Sequence, residues 1–372
     1  MTETLEGRRG HPACVRAARP GRCLLAVAAL LLAGCASSPP AYYDPGREHH
    51  RPDGFVNRHG PSGDQALSSL LRWRWQRWRA DAPAPPSRYR QGYEGFERLR
   101  PDVPAILADR RPSATWIGHA STWLRLSGVN VLTDPHFGDR ASPLSWIGPV
   151  RRVPVPLSIA EMPHVDVVVI SHNHADHLDE GTILALRDQA GGAPLFLVPL
   201  GLRDWFTERG VASVQALDWW DTHEVSGLRF SFVPAQHWSG RSLTDRNRSL
   251  WGGWVIQDAN TRVYFAGDTG YSRDFAEIGA RFGRFDLALI PVGAYEPRWF
   301  MSDQHVNPEE AVMIHQDVGA QLSVGVHWGT FELTDEPLDQ PIGDLAAALK
   351  KYDIDPTAFR LLRHGETIWL TR

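Results

Sequence analysis

Apolar and polar positions follow two regimes that change over near residue 114. Upstream, one stretch is periodic. Between Gln65 and Arg79, Leu67, Leu70, Leu71, Trp75 and Trp78 share a helical face, with Arg72, Arg74, Arg77 and Arg79 around it. A basic, Trp-bearing helix either packs on a neighbouring domain or lies on a membrane surface; packing is the expectation carried forward. Ala82-Pro83-Ala84-Pro85-Pro86 closes it, because proline cannot continue a helix.

Downstream, short β-branched and aromatic runs dominate. Ala114–Ile117, Thr122–Leu126 and Asn130–Thr133 read as strands joined by Gly-containing turns. Asp166–Ile170, Leu195–Val198, Val214–Leu217, Leu228–Val233, Trp254–Gln257, Val263–Ala266, Leu287–Ile290 and Leu322–Val326 follow, and Phe359–Leu362 and Thr367–Leu370 close the chain. Helical patterns intervene at Asp179–Gln189, Leu202–Glu208, Asp274–Phe282, Pro308–Asp317 and Ile342–Tyr352. Hairpins followed by alternating strands and helices predict an α/β fold, a sandwich of mixed sheets with outer helices. No internal repeat of fixed period is present.

The candidate chemistry sits at the strand ends. Val167-Val168-Val169-Ile170 runs into Ser171-His172-Asn173-His174-Ala175-Asp176-His177, which places three His and one Asp in a loop after a core strand. Ligand sites of layered α/β folds collect at such loops. Imidazole and carboxylate at this density suit Zn²⁺ or a similar first-row ion. Three further strands end on potential ligands: His237 after Phe230–Val233, Asp268 in a Gly-flanked turn after Tyr264–Ala266, and His327 after Ser323–Val326. Singly each is weak. With the opening loop they make a set of seven, enough for two ions sharing one carboxylate.

His172-Asn173-His174-Ala175-Asp176-His177, then His237, Asp268 and His327, resemble the metallo-β-lactamase fold superfamily over roughly Ala114 to Arg372. The resemblance implies an αβ/βα sandwich of two mixed sheets flanked by helices. It also implies two zinc ions per chain, or another first-row divalent metal. By position, His172, His174 and His237 would hold the first ion, Asp176, His177 and His327 the second. Asp268 would bridge them, with a shared water or hydroxide. Trp116-Ile117-Gly118-His119-Ala120-Ser121, Leu132-Thr133-Asp134-Pro135, Arg140-Ala141-Ser142-Pro143, Gly293–Trp299, Gln304–Val312 and His327–Phe331 are similar to one branch, the N-acyl-phosphatidylethanolamine-hydrolysing phospholipase D family and its bacterial relatives. That branch implies a phosphodiesterase acting on a phospholipid or other small amphiphilic ester, with His305 contacting substrate beside the metals. Ala175 stands where the branch carries a substrate-binding Tyr. Two alternatives stay open: a lactonase or esterase of the same fold, and a non-catalytic envelope lipoprotein. His305 has a second reading as a helix-start cap. His119 and Asp134 read as turn residues or as supports for a ligand, and Arg298 and Trp299 are placed by position at a substrate mouth.

Composition adds bounds. A chain of 372 residues with 42% hydrophobic positions and 15 Trp can fill a large core, and a formal charge of −4 gives no footprint for nucleic acid. The three cysteines, Cys14, Cys23 and Cys35, all precede the periodic regions, so none is available to the strand-end sites. Residues 1–35 read as an export leader with basic Arg8, Arg9, Arg16, Arg19 and Arg22, an apolar Leu24–Leu32, and Leu32-Ala33-Gly34-Cys35, which resembles a bacterial lipobox. The expectation is a lipoprotein lipidated at Cys35, anchored to the envelope and facing the periplasm, with Ala36 favouring the outer membrane. Residues 36–63 read as a flexible tether in which His49, His50 and His59 are solvated or bind metal loosely. Residues 64–372 form the hydrolase domain, with 64–113 as its helical extension.

Overall fold

The computed structural model describes residues 40–61, 67–79, 96–242 and 244–370. The leader and Cys35 lie outside them. The fold belongs to one compact unit, residues 42–372. Its start corrects the expected boundary at 64: residues 42–61 form part of the fold. Here β1 (His50–Arg51) and β2 (Gly54–Phe55) make a small hairpin, and Phe55 enters the core.

The first large sheet is built from β3 (Ser113–Gly118), β4 (Ser121–Leu126), β5 (Val129–Thr133), β6 (Val167–Val169), β7 (Leu195–Pro199) and β8 (Val214–Leu217). The second holds β9 (Thr222–Val225), β10 (Leu228–Val233), β11 (Gly253–Gln257), β12 (Arg262–Phe265), β13 (Leu287–Pro291), β14 (Ser323–Val326) and β15 (Phe359–Arg360). The chain then returns as β16 (Thr367–Trp369) to the edge of the first sheet, beside β3. Each sheet has seven strands and is mixed, hairpin-connected antiparallel on one side and parallel on the other. This is the expected sandwich.

Period-2 alternation explains why β6 and β7 are apolar throughout. Val167, Val169 and Leu197 point into the core between the sheets, while Val168, Ile170, Phe196 and Val198 join a second core under the helices. A strand buried on both faces has no polar position to spare. The helices, in chain order, are α1 (Leu67–Arg79), α2 (Val103–Ala108), α3 (Glu180–Arg187), α4 (Arg203–Thr207), α5 (Asp274–Phe282), α6 (Arg298–Met301), α7 (Pro308–Asp317) and α8 (Gln340–Lys351). Ile106, Ile183, Leu186 and Phe206 of α2, α3 and α4 cover the first sheet. Burying each such side chain stabilises by about 1.5–3 kcal/mol. Phe275 and Ile278 of α5, Ala311, Val312 and Ile314 of α7, and Leu345 of α8 join the core of the second.

The sequence patterns located α5 and α7 to the residue, while the short α2 and α6, the hairpin partner β9 and the β1–β2 hairpin were not anticipated. Those elements are too short to display a period. No helix among the described residues is long and apolar enough to cross a membrane.

Candidate metal centre

Six loops meet at one end of the sandwich. The loop after β6 carries Ser171 to His177, and its turn is closed by amides of His177 and Leu178 donating to the His174 carbonyl at 3.1 and 2.8 Å. His237 follows β10, Asp268 follows β12, His327 ends β14, Asp134 follows β5, and His119 sits in the β3–β4 turn. Three of these residues have left-handed backbone: His119 (φ 53°), Asp134 (φ 32°) and His327 (φ 62°). Each such residue costs roughly 1–3 kcal/mol and persists only where its surroundings hold it. The His327 amide donates to the His119 carbonyl at 2.9 Å, and the His119 amide to Thr330 Oγ1 at 2.8 Å, so the two strained turns brace each other. Gly267, just before Asp268, has φ +63°, and a Cβ there would lie 2.7 Å from the Ser171 Cβ and 2.8 Å from the Gly252 carbonyl oxygen. Only glycine brings the Asp268 turn this close to the histidine loop.

All seven positions singled out from the sequence come together. His172, His174 and His237 form one group, and Asp176, His177 and His327 form another that also takes in His119. Asp268 reaches both: its Oδ2 stands 3.0 Å from His177 Nε2, 3.1 Å from His327 Nε2, and 3.9 Å from Nε2 of both His172 and His237. His305 Nδ1 lies 3.9 Å from the same oxygen. The cap of α7 is Asn307, in a capping box with Glu310, so the helix-start reading of His305 is set aside. Arg298 donates to the His305 carbonyl at 2.8 Å and to Glu310 at 2.7 Å, fixing the His305 loop rather than lining the cavity. Trp299 is exposed, with the Arg72 guanidinium over its ring.

The hydrogen bonds on the far side of each ring set its tautomer. His237 Nδ1–H donates to the Gln304 carbonyl (2.9 Å) and His177 Nδ1–H to Asp134 Oδ2 (2.7 Å). Ser171 Oγ donates to Asp134 Oδ2 and therefore accepts from His172 Nδ1–H at 2.9 Å. With those protons turned outward, Nε2 of His172 and His237 is a lone pair facing inward, and Nε2 of His177, which faces the Asp268 carboxylate, becomes one when the ring gives up its second proton. His172 Nε2 stands 2.7 Å, and His237 Nε2 3.2 Å, from His174 Nδ1, while His177 Nε2 faces His327 Nε2 at 3.1 Å. A ring proton on His174 can serve one of its two contacts, so unshared lone pairs remain whichever tautomer is drawn. Buried His174 Nε2, Asp268 Oδ1, His305 Nδ1 and His327 Nδ1 also lack any partner. Such a concentration of unpaired polar atoms is costly in a protein interior. It is relieved by divalent cations, and the donor set of imidazole and carboxylate, with outward-facing partners that fix each ring, fits them.

The electrostatics agree. Desolvation pushes His172 well below its usual range, and His174, His237 and His305 down to about 3, keeping them neutral. Desolvation also opposes charge on His177, but the Asp268 and Asp176 carboxylates outweigh it and hold that ring well above the usual value. His327 is raised to about 9 by Asp268 and Asp176 against the same burial. Burial alone would raise Asp268 and Asp176, yet the surrounding rings, His177 foremost, hold both well below the carboxylate range. Two buried anions thus draw positive charge to one point.

Asp134 accepts from the Ser171 amide (2.7 Å), Ser171 Oγ and His177, orienting two rings at once. His119 Nε2 lies 3.0 Å from Asp176 Oδ2, so it is both a turn residue and the support of a carboxylate.

Above the centre is a cavity of about 370 Å³. Asp176, Asp268, His174 and His305 lie on its floor; Leu70, Trp73, Trp238, Phe300, Met301 and Leu333 supply its apolar wall, and Ala175 its rim. The α1 helix packs on the domain, but not through the expected face: Trp73 Nε1 donates to Asp335 at 2.9 Å and its ring stacks on Phe300, while Leu71, Trp75 and Trp78 are exposed.

A second buried His/Asp group was missed. His49 Nε2 lies 2.6 Å and His50 Nε2 2.9 Å from the two oxygens of Asp218, and Arg47 reaches the same carboxylate at 3.1 Å. The expected tether is pinned here. Nothing in a Pro- and Arg-rich stretch announces a partner 168 residues away.

A family described as "Beta-lactamase superfamily domain" matches residues 129–328. The chain is 41% identical over 268 residues to N-acyl-phosphatidylethanolamine-hydrolyzing phospholipase D 1 of Caenorhabditis elegans, covering 69% of this chain and 75% of that one. It is 45% identical over 262 residues to an uncharacterized protein of Mycobacterium tuberculosis, covering 67% and 69%. A possible metal-dependent hydrolase from Veillonella parvula shares the fold at TM-score 0.55 and 20% identity, over 70% of this chain and all of that one.

Proposed function

The chain belongs to the metallo-β-lactamase fold superfamily, as a metal-dependent hydrolase, and on that premise we propose that it is a dinuclear zinc phosphodiesterase. Its substrate on this reading is a phospholipid or a related amphiphile with an anionic head and an apolar tail. The observation that carries the reading is the convergence of seven potential ligands, five of them buried and His174 and Asp176 partly so, at the floor of a mostly apolar cavity. His172, His174 and His237 would hold one ion and Asp176, His177 and His327 the other, with Asp268 between them.

Two bound cations supply Lewis acidity and a water acidified to a pKa of about 7. The remaining work falls to the chain. Asp268 and Asp176 keep their negative charge in a buried site and fix the spacing of the two groups. His305, held neutral by desolvation, offers an N–H to an anionic oxygen or to the leaving group. Trp73, Phe300 and Leu333 seat an apolar chain and exclude water beside the reacting ester. The relative at 41% identity, whose name states a phospholipase D activity, supports the phosphodiester. Ala175 supports the second reading, a lactone or other ester, because the rim lacks the Tyr that the resembled branch places there.

Phosphodiester, phospholipid and lactone substrates offered to the same zinc-loaded preparation separate the two. Turnover of the phosphodiesters, abolished in Asp268→Ala, is expected. Zinc at full occupancy with turnover of lactones alone would overturn the phosphodiesterase and leave the centre standing.

A further inference from the structure

The α1 helix has two apolar faces, and only one is used. At 100° per residue, Leu70, Trp73 and Arg77 share the face turned to the domain, where they meet the cavity and Asp335. Leu71, Trp75 and Trp78 are spaced i, i+4 and i+7, a stripe within roughly 60° of arc on another side. That stripe is open: Trp75 is 52% and Trp78 78% exposed. Arg74 and Arg79 flank it on either side, and Arg79 lies over the Trp75 ring at 4.4 Å. The helix contains no Asp or Glu.

A second apolar patch is exposed elsewhere on the surface. Leu144, Trp146 and Ile147 are exposed in the loop between Arg140 and Arg151. The base of that loop is tied to the segment running from Thr330 to Asp335: Arg151 bridges to Phe331, and the Arg152 amide donates to the Thr330 carbonyl at 2.8 Å. Further along the same segment, Leu333 and Thr334 line the cavity and Asp335 holds Trp73 and Arg77. One short segment of chain therefore touches the base of the loop, the cavity and α1.

We propose that the outer stripe of α1, together with the Leu144–Ile147 loop, seats the cavity mouth on an anionic lipid bilayer. An apolar stripe bearing Trp with arginines at its edges is the pattern of a helix lying in the headgroup region, its rings buried and its guanidinium groups at the phosphates. Charge selects the partner. A second copy meeting the stripe through a two-fold axis would set Arg74 and Arg79 against their own equivalents, whereas an anionic surface pairs with them. The chain as a whole is net negative, so attraction to such a surface has to come from a local patch of this kind. The docking stands on this surface alone, so it and the proposed turnover fail separately.

Hydrogen exchange on the full chain, followed peptide by peptide, tests it with vesicles of phosphatidylcholine alone or with phosphatidylglycerol added. Peptides covering 67–79 and 142–150 are expected to slow by about tenfold or more with the anionic vesicles only, and to recover their rate in salt. Leu71→Ser/Trp75→Ser/Trp78→Ser should lose the protection at 67–79 while keeping zinc content and melting temperature. Equal protection on both vesicle types, or vesicle capture through the N-terminus with no change at 67–79, would overturn the proposal. So would protection that appears without lipid and grows with protein concentration, which would assign the stripe to a second copy.

Discussion

Among the described residues, the buried histidine–aspartate clusters around Asp218 and Asp268 are built on opposite plans. At Asp218 every donor is spent. His50 Nδ1 accepts from the Asp44 amide at 3.0 Å, so its proton is on Nε2 and goes to the carboxylate; His49 and Arg47 complete the shell, and the Trp219 amide adds a fourth donor. Asp218 is held below the usual carboxylate range by these partners, foremost His49, although burial opposes them. At Asp268 the Nδ1 protons of His172, His177 and His237 are spent on the outside, toward Ser171, Asp134 and Gln304, which leaves Nε2 of each ring turned to the centre. Proximity of His and Asp does not separate a clasp from a metal site. The direction of the ring protons does.

Substitutions can break this contrast at several strengths. The largest effect is expected from Asp268→Ala, which removes the shared carboxylate. Turnover should fall at least a thousandfold, on the order of 4 kcal/mol in the barrier, and zinc per chain should fall with it. Next is Asp218→Ala. Stranding two buried His and Arg47 should destabilise by about 3 kcal/mol, and the melting temperature should drop by roughly 6–12 °C. Zinc content should be unchanged, and a loss of zinc would erase the distinction between the clusters. Asp134→Asn keeps the size of the side chain but takes away the charge that orients His177. Zinc affinity should weaken roughly 10- to 100-fold in a competitive chelator titration, with stoichiometry restored at high zinc.

The smallest effect concerns pH. Desolvation, only partly offset by Asp218, lowers the His50 pKa, so the unfolded chain binds that proton more readily. The clasp's stability is therefore full above the unfolded value of about 6.5 and is lost as pH falls toward the lower native value. In apo protein, wild type should lose melting temperature faster than His50→Gln between neutral pH and pH 5. Parallel curves would show that His50 does not titrate into the clasp.

Much of the centre was legible because its ligands sit immediately after strands whose β-branched runs are themselves readable. Val167–Ile170 announces His172 to His177, and Ser323–Val326 announces His327. The supports were less visible. His119 and Asp134 each appear as a turn residue, and their bonds to Asp176 and His177 span 57 and 43 residues. The Asp218 clasp was invisible for the same reason, since a polar stretch reads as tether until its distant partner is known. The two-sidedness of α1 is another such case. Periodicity identified a face of Leu67, Leu70, Leu71, Trp75 and Trp78, but the helix docks through Trp73, which lies off that face, because Phe300 and Asp335 take its ring and its N–H.

The most direct test counts zinc in the full chain after loading with excess metal and desalting, with wild type, Asp218→Ala and Asp268→Ala measured side by side. About two ions per chain in the first two proteins, and one or fewer in the third, is the expected outcome. A third ion in wild type that disappears with Asp218, or near-zero zinc in wild type, would contradict the assignment of one cluster to metal and the other to holding the chain.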